Sequence, residues 1–319
     1  MAFDRLQQKI DAMRNPTVVG LDPALEHIPP QILEKHFSEK GETFEAAAAA
    51  VVEFNTGLID ALCDIVPAVK PQSAYYEALG YEGVEAMKKT FDYAKSKGMY
   101  VICDAKRNDI GTTAEAYSAA FLGSVKVGSS ELRPFDADAL TVNAYLGSDG
   151  IKPFIETAVK YDKAVFALVR TSNPSAGELQ DMFISGQGDD MPSLSPPRRL
   201  YTAVGELMEE ISRDTIGKYG FTRVGAVVGA TYPEEAEFLR ARLINTFFLV
   251  PGYGAQGGSA AHAARAFDEN GRGAVINSSR AIIAAWKKSG EGYKAAARAE
   301  ALRMREELRA CLKTHRPPS

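Results

Sequence analysis

The chain has 319 residues, 45% of them hydrophobic, which is ample apolar material for one large core. Its net charge of −4 and the lack of a long basic run argue against a nucleic-acid-binding surface. Residues 1–14 are charged and amphipathic, so we expect no signal peptide, and no stretch has the length of a membrane span. The spacing of Cys63, Cys103 and Cys311 fits neither a disulfide framework nor a zinc site, which predicts reduced thiols in the cytoplasm.

Short apolar segments with the character of buried strands recur along the chain. They are Thr17–Asp22, Ala68–Gln72, Tyr100–Lys106, Ala139–Ala144, Ala164–Thr171, Val224–Thr231, Phe247–Gly252 and Gly273–Ser279. The helical patterns between them include Phe44–Ile65, Gly83–Lys97, Ala114–Phe121, Ile151–Tyr161, Pro233–Leu243 and Ala260–Phe267. Strands that alternate with helices pair in parallel, so the pattern predicts a (β/α)8 TIM barrel that forms a single domain over residues 1–319. An open doubly wound sheet is the alternative, but it would not need every one of these strands.

Two connections are longer than this repeat requires. Residues 23–43 extend the first βα connection, and residues 176–198 form a polar insertion, rich in Gly and Pro, after the fifth strand. Long loops in compact domains are usually functional or disordered. We interpret the insertion as surface decoration, with a mobile cover over a site as the alternative. The polar C-terminal segment, with balanced Lys, Arg and Glu, predicts an extra solvated helix.

The end of the third predicted strand carries the strongest functional signal. Alternation along the strand places Asp104 and Lys106 on one face. Asp109 then lies in the loop beyond, before a helix that Thr112 or Thr113 could cap. Burial of charge is costly unless the charge is paired, so such a cluster indicates a site more often than a scaffold. A solvated salt bridge is the alternative.

Other reactive or polar side chains also fall at or just after predicted strand ends. They are Asp22, Lys70, Ser172, Gln256 and Arg280. In a barrel these ends meet at the C-terminal face, where active sites are built. Arg280 begins a helix near the glycine-rich residues 252–258, which indicates a phosphate site, with a structural ion pair as the alternative. On residue type alone, the segment Ser172-Asn173-Pro174 is interpreted as a turn.

The spacing Asp104-x-Lys106-x-x-Asp109-Ile, followed by Thr113-x-x-x-Tyr, resembles the signature of the orotidine 5′-monophosphate decarboxylase family. Further segments resemble the family's other strand ends, in the right order. They are Gly20-Leu21-Asp22-Pro23, Val69-Lys70-Pro71-Gln72, Thr171-Ser172-Asn173-Pro174, Val250-Pro251-Gly252 with Gln256-Gly257-Gly258, and Asn277-Ser278-Ser279-Arg280. Together they span residues 17–285, and the length of the chain suggests the longer bacterial subgroup, type 2.

The resemblance implies cofactor-free decarboxylation of orotidine 5′-monophosphate to uridine 5′-monophosphate, the last step of de novo UMP biosynthesis. In that reaction Lys106 would stabilise the carbanion at C6 and deliver the proton, and Asp104 would face the departing carboxylate. Lys70 would hold Asp104 and a ribose hydroxyl, while Asp22 would bind ribose hydroxyls. Remote contacts to ribose and phosphate would supply binding energy that is used at the reacting carbon.

The resemblance also assigns the remaining candidate residues. Ser172 and Gln256 would meet the pyrimidine, and Gln256 and Arg280 the phosphate. Asp109 and Thr113 would reach the active site of a neighbouring subunit, which implies a homodimer with shared sites. Because no His, Cys and carboxylate cluster has metal-ligand spacing, we expect neither a metal nor another cofactor.

Three other functions are compatible with a lysine at a barrel strand end. A lysine at a barrel strand end forms a Schiff base if desolvation lowers its pKa, but Asp104 and Asp109 favour the charged form of Lys106, which is a good acid. A related barrel enzyme acting on a sugar phosphate, such as a magnesium-dependent keto-sugar-phosphate decarboxylase, is one alternative, although Asp22, Ser172 and Gln256 match the nucleotide enzyme. A non-catalytic nucleotide-binding barrel is another, yet binding alone does not require two lysines and two aspartates in contact.

Overall fold

The computed structural model describes residues 1–184, 197–254 and 257–314. In this part of the chain a closed barrel of parallel strands is present, so the predicted fold class is confirmed. Its strands are β1 Thr17–Leu21, β2 Ala68–Pro71, β3 Tyr100–Arg107, β4 Ala139–Val142, β5 Ala164–Arg170, β6 Val224–Val228, β7 Phe248–Val250 and β8 Ala274–Ser278. Each strand pairs with the next in chain order, and β8 closes onto β1. The predicted strands end within a few residues of the observed ones.

Helices surround the barrel and follow most of its strands. They are α1 Ala2–Met13, α2 Pro30–Lys40, α3 Phe44–Leu62, α4 Ser73–Glu77, α5 Gly80–Ser96, α6 Gly111–Phe121, α7 Lys152–Tyr161, α8 Gly177–Gln180, α9 Leu200–Ser212, α10 Pro233–Arg242, α11 Ala260–Ala264, α12 Arg280–Ile283, α13 Trp286–Ser289 and α14 Tyr293–Thr314. Short antiparallel pairs join Val125–Val127 to Ser130–Leu132 and Phe183–Ile184 to Arg198–Arg199. Most barrel strands are buried along their whole length, because one face fills the barrel and the other contacts helices.

Helix α1 closes the N-terminal end of the barrel. Its side chains Phe3, Leu6 and Ile10 are buried beneath the strands. The ring of Phe3 lies 4.9 Å from that of Phe166 and 5.0 Å from that of Phe247, centroid to centroid. With this end filled by aromatic side chains, the C-terminal end is the one left open for a ligand.

The two long connections contain regular structure. Residues 23–43 form a 3-10 turn at Leu25–His27 followed by α2, which packs against α3. A 3-10 turn at Pro174–Ala176 leads into the insertion after β5, which continues with α8. Residues 185–196, which hold most of its glycines and half of its acidic residues, lie outside the described residues, so its interpretation as decoration or cover stays a prediction.

The predicted C-terminal helix is present as α14, but the prediction that it is solvated was wrong for one of its faces. That face buries Ala297, Ala301, Met304 and Leu308 against neighbouring helices, including α3 and α11. The spacing of these residues is that of a helical stripe, which the many charged neighbours obscured in the sequence. Over the described ranges, no helix combines the length and hydropathy needed to span a bilayer.

Candidate active site

A cavity of about 500 Å³ opens at the C-terminal ends of the strands. This volume lies within the usual range for small-molecule sites. Six of the predicted site residues line it: Asp22, Lys70, Asp104, Lys106, Ser172 and Arg280. The barrel therefore gathers into one cavity side chains that are separated by up to 258 residues in the chain (280 − 22 = 258).

The centre of the cavity is a buried carboxylate that accepts four hydrogen bonds. Oδ2 of Asp104 accepts from Nζ of Lys70 at 2.6 Å and from Nε2 of Gln72 at 3.0 Å. Oδ1 accepts from Nζ of Lys106 at 2.7 Å and from the hydroxyl of Thr141 at 2.9 Å. Strands β2, β3 and β4 thus hold this carboxylate from both sides, and the expected contact between Asp104 and Lys106 is present.

The charges of this cluster stabilise one another. Burial alone would raise the pKa of Asp104, but the ammonium groups of Lys70 and Lys106 outweigh it and hold this pKa well below its usual range. Burial alone would likewise lower the pKa of Lys70, but the nearby carboxylates of Asp104 and Asp22 raise it. The cluster is therefore a fixed array of a carboxylate between ammonium groups, and the Lys106 side chain is the one that remains 44% exposed toward the cavity.

Lys106 reaches Asp104 through an irregularity in β3 and not through regular alternation. Its backbone is left-handed, with φ of 50°, which is uncommon for a residue other than glycine. The pairing of β3 with β4 shifts between Cys103 and Arg107. The Lys106 N–H bonds to the Thr141 hydroxyl at 2.9 Å. No sequence pattern indicated this bulge or the part that Thr141 and Gln72 take in the cluster.

Asp109 and Thr113 are not brought into this cavity by their own chain. The Asp109 carboxylate accepts the N–H of Ile110 at 2.8 Å, and Thr113 is exposed. Helix α6 begins at Gly111 after Ile110, whose side chain makes no cap. The predicted cap by Thr112 or Thr113 was therefore wrong, because both threonines lie inside the first turn.

The loop after β5 is anchored from beneath by Arg170, which is 1% exposed. Its guanidinium donates to Glu235 at 2.9 Å and lies 4.0 Å from the centre of the Tyr232 ring. Gln180 then bonds both the N–H and the hydroxyl of Thr171, at 3.0 and 2.7 Å. These contacts hold the backbone that carries Ser172 into the cavity. An arginine that ends an otherwise apolar strand was the signal that could have revealed the anchor.

Close backbone approach at the end of β8 depends on a glycine. A Cβ at Gly20 would lie 1.8 Å from the Ser279 hydroxyl, so no other residue fits there without a shift. Two residues that line the cavity in this region hold unsatisfied acceptors. Oδ1 of Asp22 and Oδ1 of Asn277 are buried without a hydrogen-bond partner among the described residues. Buried acceptors of this kind normally have a donor, and a ligand hydroxyl would supply it.

Arg280 begins α12 and is exposed at the cavity. Within the described ranges it forms no ion pair, which leaves its guanidinium available to a ligand anion and does not favour the structural alternative. Gln256, the other residue assigned to phosphate, lies outside the described residues. The adjoining wall includes Tyr253, whose hydroxyl donates to Glu307 of α14, a link that nothing in the sequence predicted.

Metal ligands are not grouped in the described part of the chain, where no set of three or more His, Cys, Asp or Glu side chains could hold an ion. The buried Asp104 carboxylate already has two donors on each oxygen. Its charge is therefore balanced by lysine ammonium groups.

The barrel and its charged C-terminal cavity define an enzyme-type (β/α)8 protein. The model of the orotidine 5′-phosphate decarboxylase / HUMPS family matches residues 48–295, and this chain belongs to that family. An orotidine 5′-phosphate decarboxylase of Rhodopirellula baltica is 42% identical over 300 residues, covering 92% of this chain and 94% of the relative. An orotidine 5′-phosphate decarboxylase of Caldicellulosiruptor bescii is 39% identical, covering 89% of this chain and 90% of the relative. The structure of Leishmania donovani OMP decarboxylase matches with a TM-score of 0.71 at 32% identity, covering 98% of this chain and 99% of that one.

Proposed function

We propose that this chain decarboxylates orotidine 5′-monophosphate to uridine 5′-monophosphate and CO2 without a cofactor. The observation that carries the proposal is the Asp104 carboxylate held between the ammonium groups of Lys70 and Lys106 in an open cavity. The names of the relatives, at 42% and 39% identity over most of the chain, support the same substrate.

The cluster suits the chemistry of carbanion formation. When the bond between C6 and the carboxylate carbon breaks, its electron pair stays on C6 and CO2 leaves. The Lys106 ammonium, fixed at 2.7 Å from Asp104, is preorganised to stabilise that charge and then to give its proton to C6. Water returns the proton to the lysine afterwards. Asp104 keeps Lys106 in position and faces the departing carboxylate.

The rest of the cavity offers contacts for ribose, pyrimidine and phosphate. The unsatisfied carboxylate oxygen of Asp22 suits a ribose hydroxyl, and the unsatisfied amide oxygen of Asn277 offers a second acceptor. Ser172, on the anchored β5 loop, lines the cavity, and its hydroxyl suits the pyrimidine. Arg280, with Gln256 as its expected companion, suits the phosphate, which a guanidinium binds through paired hydrogen bonds.

We also infer a homodimer in which Asp109 and Thr113 complete the partner's site. Asp109 lies in a loop beyond the cavity of its own chain, beside Ile110, which is 55% exposed. Next to this loop, Tyr145 is 78% and Leu146 47% exposed. Large exposed apolar side chains around a functional loop are typical of an interface, and a second copy is the partner that the proposed reaction requires.

The alternative within the same family is a magnesium-dependent enzyme acting on a sugar phosphate. In that enzyme carboxylate oxygens would have to be available to the metal, whereas both oxygens of Asp104 already accept two hydrogen bonds each. A non-catalytic nucleotide-binding barrel would have no use for a second ammonium group at Asp104, that of Lys106, beside the buried one of Lys70.

One assay separates these functions. The purified protein is mixed with orotidine 5′-monophosphate in EDTA, and loss of the orotate absorbance and formation of uridine 5′-monophosphate are followed. We expect the same rate in EDTA and in magnesium. A magnesium requirement that titrates with activity would favour the sugar-phosphate alternative, and tight nucleotide binding without turnover would favour the non-catalytic barrel.

A further inference from the structure

The ladder between β3 and β4 contains a gap beside the charged cluster. Cys103 pairs with Leu140, and the next pair is Arg107 with Val142. Residues 104–106 of β3 therefore face a single residue of β4, Thr141, and the irregularity removes the Lys106 N–H from the regular ladder. A buried N–H without a partner is costly, so this position needs another acceptor.

The Thr141 hydroxyl supplies that acceptor. It is 2.9 Å from the Lys106 nitrogen and 2.9 Å from Oδ1 of Asp104, and Thr141 is 1% exposed. An N–H only donates and an ionised carboxylate only accepts. The hydroxyl must therefore accept from the Lys106 backbone and donate to Asp104, so its orientation is determined at both ends.

Lys106 also needs support for its backbone conformation. A left-handed lysine is unfavourable unless its surroundings stabilise it. The bond from its N–H to Thr141 fixes this conformation, and the conformation returns the side chain to Asp104, two residues earlier in the chain. The same hydroxyl thus determines where the backbone of Lys106 lies and where the Asp104 carboxylate points.

We propose that Thr141 is a positioning residue for the decarboxylation, because its hydroxyl holds Lys106 and Asp104 in register with each other. This inference rests on the proposed function. Thr141 has a role in placing the proton donor and none in binding ribose or phosphate. Its loss should therefore slow the chemical step and leave nucleotide affinity nearly unchanged.

The test compares two variants of Thr141 with a matched control. Thr141→Val keeps the shape and removes the hydroxyl, whereas Thr141→Ser keeps the hydroxyl. Thr17→Val is the control, since Thr17 is a fully buried threonine of β1 whose hydroxyl has no hydrogen-bond partner among the described residues. For each variant kcat and KM, the dissociation constant of uridine 5′-monophosphate and the Tm are measured.

We expect Thr141→Val to lower kcat on the order of 100-fold, the scale of a misplaced catalytic group, with KM and product affinity close to wild type. Thr141→Ser should restore most of the rate, and Thr17→Val should leave it unchanged. If Thr141→Val does not fold, Thr141→Ala and Thr141→Ser differ by the same hydroxyl and are compared instead.

Three results would overturn the inference and leave the proposed function standing. Wild-type kcat in Thr141→Val would show that the hydroxyl is dispensable, and an equal loss in Thr141→Ser would show that shape matters and not the hydroxyl. A parallel loss of kcat, product affinity and Tm would show a purely structural role. An inactive wild-type protein would instead contradict the proposed function, and the inference with it.

Discussion

Two clusters in the described part of the chain place one aspartate between two lysine ammonium groups. Asp104 lies between Lys70 and Lys106 at the C-terminal ends of β2 and β3. Asp136 lies between Lys95, near the end of α5, and Lys163. Asp136 and Lys163 belong to the connections that precede β4 and β5, at the opposite end of the barrel. Both clusters pair one carboxylate with two lysines, although Asp136 also accepts a hydrogen bond from Arg133 at 3.1 Å.

Their surroundings differ. The ammonium groups around Asp136 also donate to its backbone carbonyl, Lys95 at 2.7 Å and Lys163 at 3.4 Å, so they fasten a loop whose φ at Asp136 is 54°. The Asp104 cluster has a cavity above it and retains one partly exposed ammonium group, that of Lys106. Composition alone therefore does not distinguish a reactive cluster from a structural one, whereas position relative to the strand ends does.

The largest expected effect separates the two clusters by their lysines. Lys106→Ala removes the proton donor and should lower kcat on the order of 10³-fold with little change in Tm. Lys163→Ala should leave kcat unchanged and lower the free energy of unfolding by about 1–3 kcal/mol, since Asp136 loses a buried charged partner. Steady-state kinetics and urea unfolding of both variants check this. Lost activity in folded Lys163→Ala would remove the distinction.

A second prediction asks whether the catalytic end is completed by a partner. Lys106→Ala and Asp109→Ala, each nearly inactive alone, should recover roughly a quarter of wild-type activity when equal amounts are mixed and subunits exchange, because half of the dimers then hold one intact site. The assay is decarboxylation after exchange, which is monitored separately with labelled subunits. Activity that stays at baseline despite exchange would mean that each site is built from one chain.

The third prediction concerns the phosphate at the same end of the barrel. Arg280→Ala should weaken binding of uridine 5′-monophosphate by about 10- to 100-fold and hardly affect uridine, since only the nucleotide carries the charged group. Arg272→Ala, an arginine at the opposite end that pairs with Asp11, is the matched control and should bind both ligands as wild type does. Titration calorimetry measures both affinities. Equal losses for nucleotide and nucleoside would give Arg280 a structural role.

The smallest expected effect is the pH dependence of the structural cluster. Burial opposes ionisation of Asp136, but hydrogen bonds from Lys163 and Lys95 outweigh it and lower its pKa to about 2. Since the pKa in the unfolded chain is about 4, this carboxylate stabilises the fold fully above pH 4 and loses its contribution as the pH falls toward 2.

Asp136→Asn, which keeps the shape and tolerates a left-handed backbone, should therefore cost about 1 kcal/mol at pH 7, a value reduced for partial exposure to solvent. The cost should shrink as the pH falls below 4. Urea unfolding of the wild type and the variant, at pH 7 and at a pH below 4, measures this cost. A cost independent of pH would mean that the carboxylate charge is not what stabilises the loop.

The sequence by itself determined the architecture and much of the cavity. Apolar strand runs and helical periods are local patterns, so the strands from Thr17 to Ser278 were predicted within a few residues. The resemblance of short motifs placed Asp22, Lys70, Asp104 and Lys106 at strand ends, and barrel closure brought them together.

Only the tertiary structure decided which side chains support this set. Lys95, Asp136 and Lys163 form a cluster although 27 or more residues separate each from the next, and no local pattern marks them (136 − 95 = 41; 163 − 136 = 27). The bond from Thr141 to Lys106 depends on the shifted register between β3 and β4, and a register is a property of two strands together. Side chains from different strands meet only where barrel closure sets their relative height, which no single segment of the chain encodes.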